Sequence, residues 1–154
     1  MRIALYQPDI PQNAGTIMRM AACLGVGVDL IEPAGFDASD RNLRRAGLDY
    51  LTHLDLVRHE SWEAFEVWRR DALGRPRLVL LTTRAQASYL DHAFDPGDVL
   101  LLGRESAGVP EHVHATAEVR IKVPMRPGLR SLNVAVAAAM VAGEALRQTG
   151  MFPA

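Results

Sequence analysis

The sequence is poor in cysteine and in unbalanced charge, and each shortage excludes a class of protein. One cysteine, Cys23, occurs in 154 residues. No internal disulfide can therefore form, and we expect a reducing compartment. The net charge of −1 excludes the global basic field that many nucleic-acid-binding domains carry. Any argument for RNA binding must therefore rest on local basic clusters.

Long apolar runs are also lacking. The most apolar stretch, residues 134–143, is about half of the roughly 20 residues that a membrane-spanning helix needs. The chain begins with the strand-like RIALYQP, in which no signal peptide is recognisable. We therefore expect a cytoplasmic protein without a membrane partner. With 49% hydrophobic and 23% charged residues, the composition is that of a globular protein, and we expect one domain over residues 1–154.

Strand and helix signals alternate along the chain, which predicts an α/β fold with three layers and a mostly parallel sheet. Continuous apolar runs are typical of strands that are buried on both faces. The predicted strands cover residues 3–6, 28–31, 54–57, 78–81, 99–102 and 119–123. The predicted helices cover residues 13–24, 42–46, 61–73 and 131–150, and either Ser131 or Asn133 starts the last one.

Three of these strands end in unusual loops. The loops read TTR after Leu81, GRESAGVP after Leu102 and PMRPGLRSLN after Val123. They are richer in glycine, proline, hydroxyl groups and charge than a turn requires. Because ligands of parallel α/β sheets bind beyond the carboxyl ends of the strands, we expect a site there. For GRESAGVP alone, the alternative is a tight turn that bears an Arg–Glu surface pair.

Familiar enzyme motifs do not occur in the sequence. GRESAG has Arg104 where the G-x-S-x-G elbow needs its first glycine. GVGVDL does not complete G-x-G-x-x-G, and there is no P-loop. Cys23 and the histidines have no zinc spacing, so we expect no metal. His112 and His114 are expected on the surface of a short helix.

Two further segments carry polar groups. PDIPQNAGTIMRMAACLG places Asn13 and Arg19 at one loop–helix junction, and the simplest interpretation makes Asn13 a helix cap. Arg19 lies in an apolar stretch, so we expect it to have a carboxylate or phosphate partner. The segment RNLRRAGLDY contains a basic cluster, for which a solvated helix face is the alternative, formed by Arg41, Arg44 and Arg45.

Three segments together resemble the SpoU branch of the SPOUT RNA methyltransferases: PQNAGTIMRMAACLG, VLLLGRESAGVP and IKVPMRPGLRSLNVAVAAAM. They stand in the order of the family and near its spacing. IEPAGF, RRAGLDY and LTT are similar to the subgroup that methylates the tRNA wobble nucleotide (the TrmL/YibK type). The resemblance covers nearly the whole chain. Arg104 departs from it, because the subgroup commonly has proline there, and the last helix is more alanine-rich.

The resemblance implies a fold and a reaction that no residue pattern reveals. The fold is the SPOUT α/β fold with a C-terminal trefoil knot, and knots are rare. The reaction is S-adenosylmethionine-dependent methylation of the ribose 2′-hydroxyl of nucleotide 34, cytidine or modified uridine, in the tRNA anticodon loop. A homodimer and the absence of a metal are also implied. The positions that match the family's cofactor pocket are Leu81, Thr82, Leu102, Gly103, Gly108, Val123, Met125, Ser131 and Leu132.

The resemblance also implies catalytic and RNA-binding residues. The catalytic set is Asn13, Arg19, Glu105, Ser131 and Asn133. We expect Arg19 to clamp an RNA phosphate and to stabilise charge that develops on the 2′-oxygen, because a guanidinium keeps its proton in proteins. The RNA would be held in a basic groove of the dimer by Arg19, Arg41, Arg44, Arg45, Arg126 and Arg130.

Three alternatives remain open from the sequence. The first is the same chemistry on another tRNA nucleotide or on ribosomal RNA. The second is a non-catalytic RNA-binding dimer, although intact Arg19, Glu105, Ser131 and Asn133 argue against it. An α/β protein that binds an unrelated small molecule is the third alternative.

Overall fold

Six strands alternate with five α-helices in the computed structural model, which describes residues 1–45 and 49–154. The strands are β1 (Arg2–Tyr6), β2 (Gly27–Ile31), β3 (Leu56–His59), β4 (Leu78–Leu81), β5 (Val99–Leu102) and β6 (Val119–Ile121). The helices are α1 (Pro11–Leu24), α2 (Asp40–Arg45), α3 (Trp62–Asp71), α4 (Glu111–Thr116) and α5 (Val134–Thr149). Short 3₁₀ helices cover Asp49–His53 and Tyr89–Asp91.

The strands form one sheet in the order β3-β2-β1-β5-β4-β6, and every ladder is parallel. Leu5 and Leu100 pack on the face covered by α1 and α5, whereas Ala4 and Leu101 pack on the face covered by α3 and α4. The predicted three-layer α/β fold is therefore confirmed. Strand order does not report how the chain threads, so the trefoil knot stays a prediction.

Some predicted boundaries are wrong for local reasons. The third strand begins at Leu56 rather than Leu54, because Leu54 still closes a turn by donating its N–H to the Leu51 carbonyl at 3.2 Å. The predicted sixth strand ends at Ile121, which leaves Val123 in the following loop. The predicted end of the second helix, residue 46, lies outside the described residues.

The ends of the long helices follow capping chemistry. Helix α1 begins at Pro11, which suits a first helical position because its missing N–H has no partner to lose there. Asn13 is therefore not the cap, and that interpretation is wrong. Ser61 caps α3 as predicted and accepts a hydrogen bond from Ala64 N at 3.1 Å. Gly25 ends α1 in the left-handed conformation, at φ 68°.

Two clusters of buried charge join elements on the α3 side of the sheet. Asp29 is completely buried and accepts from Arg2 Nε at 2.8 Å and His59 Nε2 at 2.9 Å. Arg69 on α3 is buried and donates to Glu66 at 2.7 Å and to Glu118 at 3.1 Å. Each buried cation here has a carboxylate partner, which limits the cost of burial. Among the described residues, no helix is long and apolar enough to cross a bilayer.

Candidate active site

A cavity of about 440 Å³ opens where β4 and β5 end. Such a volume is typical of small-molecule sites, which measure roughly 300–1,000 Å³. All of the predicted cofactor-binding residues line it: Leu81, Thr82, Leu102, Gly103, Gly108, Val123, Met125, Ser131 and Leu132. Of the predicted catalytic residues, Asn13, Glu105, Ser131 and Asn133 line it as well, and Arg19 does not. The three strand-end loops therefore converge on one cavity.

The loop after β5 is closed on itself by backbone hydrogen bonds. Arg104 N donates to Gly108 O at 3.0 Å, and Gly108 N donates to Arg104 O at 2.8 Å. Gly108 has φ +61°, and a Cβ on Gly103 would lie 2.7 Å from the Gly108 carbonyl carbon. Both positions thus favour glycine for the shape of the loop itself. The glycines keep the wall of the cavity thin and its backbone exposed.

A chain of amide and carboxyl groups joins three elements at the cavity. Asn133 Nδ2 donates to Asn13 Oδ1 at 2.9 Å, and Asn13 Nδ2 donates to Glu105 Oε1 at 3.4 Å. Asn133 Oδ1 caps α5 by accepting from Ala135 N at 2.9 Å. Of the two predicted starts of this helix, Ser131 and Asn133, the structure therefore selects Asn133 as the cap. Asn133 therefore caps the helix with Oδ1 and contacts Asn13 with Nδ2.

Glu105 also contacts Asp9, in the loop between β1 and α1. Asp9 N donates to Glu105 Oε2 at 3.2 Å, and Glu105 N donates to Asp9 Oδ1 at 3.2 Å. The Ser106 hydroxyl donates to Asp9 Oδ2. The two acidic residues are 96 positions apart in the sequence. These bonds fasten the loop after β1 to the loop after β5.

The pKa values of the Glu105 and Asp9 carboxyl groups are shifted in opposite directions. Burial, followed by the hydrogen bond with Asp9, raises the pKa of Glu105 above its ordinary value. The hydrogen bond with the Glu105 side chain, followed by the bond from Ser106, lowers the pKa of Asp9. Of the two carboxyl groups, Glu105 therefore binds a proton at the higher pH.

Arg104 does not form the surface pair with Glu105 that the alternative interpretation requires. Its guanidinium carbon lies 5.4 Å from the centre of the Tyr6 ring, in cation–π geometry. Its Nε is buried and has no hydrogen-bond partner among the described residues. Glu105 instead bonds with Asp9 and Asn13. Arg104 and Glu105 are adjacent in the sequence, but their side chains thus contact different groups.

Among the described residues, Arg19 has an aromatic partner rather than a carboxylate, and the predicted phosphate partner stays a prediction. Its guanidinium carbon lies 4.6 Å from the centre of the Tyr50 ring, and its Nη2 donates to the Tyr50 hydroxyl at 3.2 Å. Arg19 is exposed on α1. At 3.6 residues per turn, it is displaced from Asn13 by roughly 120° around the helix. Arg19 and Asn13 therefore face different surroundings within one protomer.

The other predicted RNA-binding arginines are all exposed, and they lie in two places: Arg41, Arg44 and Arg45 on α2, and Arg126 and Arg130 in the loop before α5. The described residues contain no cluster of three or more side chains suited to a metal ion. His112 is exposed on α4 as predicted, but His114 is partly buried, and its Nε2 has no partner in the described part of the chain.

Sequence reasoning missed two residues of this region, Asp9 and Tyr50. Asp9 follows the carboxyl end of β1 closely, so the rule that located the other loops would also have pointed to it. Tyr50 ends the quoted segment RRAGLDY, but no pattern signals its contact with a residue 31 positions away. Both contacts depend on tertiary packing.

Comparison with known proteins identifies the family. The family model described as SpoU rRNA Methylase family matches residues 1–143. The chain belongs to this family. A curated protein of Beijerinckia indica subsp. indica, named tRNA (cytidine(34)-2'-O)-methyltransferase, is 63% identical over 148 residues, which are 96% of this chain and 91% of that protein. The predicted SpoU resemblance is confirmed.

Solved structures of SpoU methyltransferases share the fold. A structure described as "Structural insights into the 2-OH methylation of C/U34 on tRNA" has a TM-score of 0.86 at 46% identity and covers 96% of this chain and 94% of its own. The SpoU methyltransferase AviRb from Streptomyces viridochromogenes, in complex with the cofactor AdoMet, has a TM-score of 0.85 at 30% identity. That match covers 96% of this chain and 60% of AviRb.

Proposed function

We propose that the protein transfers a methyl group from S-adenosylmethionine to the ribose 2′-hydroxyl of nucleotide 34, cytidine or modified uridine, in the anticodon loop of tRNA. The observation that carries the proposal is the convergence of the three family-like segments on one cavity. The near-full-length relative named tRNA (cytidine(34)-2'-O)-methyltransferase supports the choice of nucleotide. The proposal includes a cytoplasmic location, where tRNA is available.

The lining of the cavity suits S-adenosylmethionine. Leu102, Val123 and Leu132 offer apolar surface for the flat adenine ring, and Thr82 adds a hydroxyl group. The loop after β5 presents its backbone closely because Gly103 and Gly108 carry no side chain. No charged cage is needed for a ligand held in this way. The predicted cofactor set therefore becomes our proposed binding set.

S-adenosylmethionine, when bound, supplies an electrophilic methyl group. The task of the chain is to align the attacking oxygen with it, and such alignment alone can supply a large part of the rate enhancement. We assign this positioning to Asn13, Glu105, Ser131 and Asn133, three of which are already ordered by mutual hydrogen bonds. Arg19 stabilises the negative charge that develops on the oxygen.

A homodimer explains two features that one protomer leaves open. Apolar side chains stay exposed along α5 and after it, and the largest are Val136, Met140, Met151 and Phe152. Their burial against a second copy fits the alanine-rich face of α5. Arg19 does not line the cavity of its own protomer. We therefore propose that Arg19 serves the cavity of the partner.

The RNA binds through phosphate contacts with the exposed arginines on α2 and before α5. Because the protein is nearly neutral overall, these local clusters must provide the attraction. Phosphate contacts release counterions, so affinity should fall steeply with salt concentration. Splayed bases of an anticodon loop are accessible to a protein in a way that paired bases are not.

The decisive experiment is transfer of labelled methyl from S-adenosylmethionine to bulk tRNA, followed by nuclease mapping of the label. Label on the 2′-oxygen of nucleotide 34 supports the proposal. Label at another nucleotide keeps the chemistry and refutes the choice of position. Binding of S-adenosylmethionine and RNA without transfer identifies a non-catalytic RNA-binding dimer.

Methylation of ribosomal RNA is the second candidate, because the matching family is described by that substrate. Ribosomal RNA transcripts in the same assay distinguish the two. Incorporation into ribosomal RNA at a higher kcat/KM than into tRNA would favour the second candidate.

A further inference from the structure

Asp9 has the contacts of a positioning residue, although neither the family-like motifs nor the proposed reaction gives it a role. It accepts hydrogen bonds from Glu105 N at 3.2 Å and from the Ser106 hydroxyl, and its own N–H donates to Glu105 Oε2 at 3.2 Å. Asp9 is partly buried and does not line the cavity. Any effect on the reaction must therefore pass through Glu105.

We propose that Asp9 is a positioning residue: its carboxylate fastens the Glu105 main chain and the Ser106 hydroxyl, and thereby places the Glu105 carboxyl group against the Asn13 amide in the chain Glu105–Asn13–Asn133 at the cavity. The proposal rests on the proposed function of this cavity in methyl transfer. Asp9 itself touches neither the donor nor the RNA.

The geometry makes Glu105 the centre of this arrangement. Oε1 accepts from Asn13 at 3.4 Å, and Oε2 accepts from Asp9 N at 3.2 Å. One oxygen therefore faces α1, and the other is held by the loop after β1. Without the Asp9 carboxylate, the Glu105 N–H and the Ser106 hydroxyl lose their acceptor. The loop after β5 can then shift and carry the Glu105 carboxyl group away from Asn13 Nδ2, although the Asp9 N–H remains. Asn133 would then lose a fixed partner as well.

The charge environment argues that this placement is selected for the site rather than for stability. The groups that bond with Glu105 are the Asp9 backbone and the Asn13 amide, and none of the described cations bonds with it. The neighbouring guanidinium of Arg104 stacks on Tyr6 instead. Two adjacent carboxyl groups without a cation favour one shared proton. Burial and Asp9 accordingly raise the pKa of Glu105.

The first test compares Asp9→Asn, Asp9→Ala and Ser106→Ala with the wild-type homodimer. We expect kcat to fall about 10-fold for Asp9→Asn and up to about 100-fold for Asp9→Ala, as for a misplaced reacting group. The KM values for S-adenosylmethionine and tRNA should change less than about threefold, since neither ligand touches Asp9. Asp71→Asn, an exposed acid at the end of α3, is the matched control and should leave kcat unchanged.

The second test asks whether Asp9 acts through Glu105. In a double-mutant cycle, Asp9→Asn should lower kcat less than about twofold when Glu105→Gln is already present. Independent, additive losses would overturn the proposal. So would a wild-type kcat in Asp9→Ala. Where Asp9→Ala does not fold, as judged by circular dichroism, Asp9→Asn keeps the shape of the side chain and decides the matter.

A third measurement does not depend on activity. Titration of glutamate carboxyl groups labelled with carbon-13, followed by NMR, reports the pKa of Glu105, and the signal is assigned by its loss in Glu105→Gln. Removal of the Asp9 charge in Asp9→Asn should shift this pKa downward, whereas Asp71→Asn should not. An unchanged pKa would overturn the proposed contact. If wild-type protein methylates no RNA, the proposed function fails, while this titration still decides whether Asp9 controls Glu105.

Discussion

Two groups of acidic residues in this molecule differ in whether a cation compensates their charge. On the α3 side, Asp29 and Glu66 are buried against the guanidinium groups of Arg2 and Arg69, and Asp29 also bonds with His59. Beside the cavity, Asp9 and Glu105 accept from each other's main-chain N–H groups, and their remaining partners are the Asn13 amide and the Ser106 hydroxyl. The first arrangement compensates charge, and the second leaves it partly uncompensated.

The difference separates structure from function. Removal of one partner from a paired cluster should lower the free energy of unfolding strongly and leave the cavity unchanged. Two carboxyl groups without a cation lower the stability of the fold, and such pairs occur at sites where a protonation state or a fixed orientation is needed. Substitutions in the first group should therefore change the free energy of unfolding, and substitutions in the second group should change kcat.

The largest expected effect is on stability. Arg69→Met removes the buried cation of Glu66 and leaves it only the exposed Arg70, so the free energy of unfolding should fall by about 3–5 kcal/mol. Denaturant unfolding measures this loss. The matched control is Arg70→Met, because Arg70 bonds the same carboxylate from an exposed position. It should cost less than about 1 kcal/mol. Equal losses in the two variants would remove the distinction between buried and exposed partners.

Arg19→Ala should have the next largest effect, and it concerns turnover alone. Removal of a group that stabilises charge at the transition state lowers kcat by about 10²- to 10³-fold. The affinity for S-adenosylmethionine, measured by calorimetry, should stay within a few-fold. Arg41→Ala serves as the comparison, because loss of a phosphate contact should raise the KM for tRNA and lower the salt slope by about 1. Wild-type kcat in Arg19→Ala would refute the assigned role.

Heterodimers test the proposed exchange of Arg19 between protomers. One chain carries Arg19→Ala, and its partner carries Glu105→Gln. If Arg19 serves the partner's cavity, one complete site forms, and about half of the wild-type activity returns. A heterodimer as inactive as either homodimer would place Arg19 at its own cavity.

The sequence predicted the sheet and the cavity better than the contacts within it. The apolar runs of β4 and β5 identified buried strands, and the rule on strand ends located three of the loops. Side-chain partners could not be predicted in the same way. The interaction of Glu105 with Asp9 joins residues 96 positions apart, and Arg19 stacks on Tyr50, a contact that no sequence pattern signals. Such pairs depend on how the loops pack.

Asn133 allows the helix cap to be separated from the site. Asn133→Ala should cost about 1 kcal/mol of unfolding free energy through the lost cap of α5. It should also lower kcat about tenfold through the lost bond with Asn13, a change comparable to other losses of orientation. Asn133→Asp keeps a capping oxygen but removes the Nδ2 donor. Stability should therefore be retained and kcat should still fall; a fall in both would show that the two roles cannot be separated.

The smallest expected effect concerns Tyr50. Tyr50→Phe keeps the ring under Arg19 and removes the hydroxyl acceptor, so kcat should fall about twofold. Tyr50→Leu removes the ring too and should lower kcat about fivefold, in line with an exposed cation–π contact. Steady-state kinetics at saturating tRNA measures both. Identical activity in the two variants and the wild type would mean that Tyr50 does not orient Arg19.

The acceptor oxygen can be tested directly with two tRNAs that differ by one atom each from the natural molecule. One carries 2′-deoxyribose at nucleotide 34, and the other carries it at nucleotide 35; both are assembled by ligation from otherwise native tRNA. With labelled S-adenosylmethionine, we expect no incorporation into the first and near-normal incorporation into the second. Equal incorporation into both would contradict methylation of the 2′-hydroxyl of nucleotide 34.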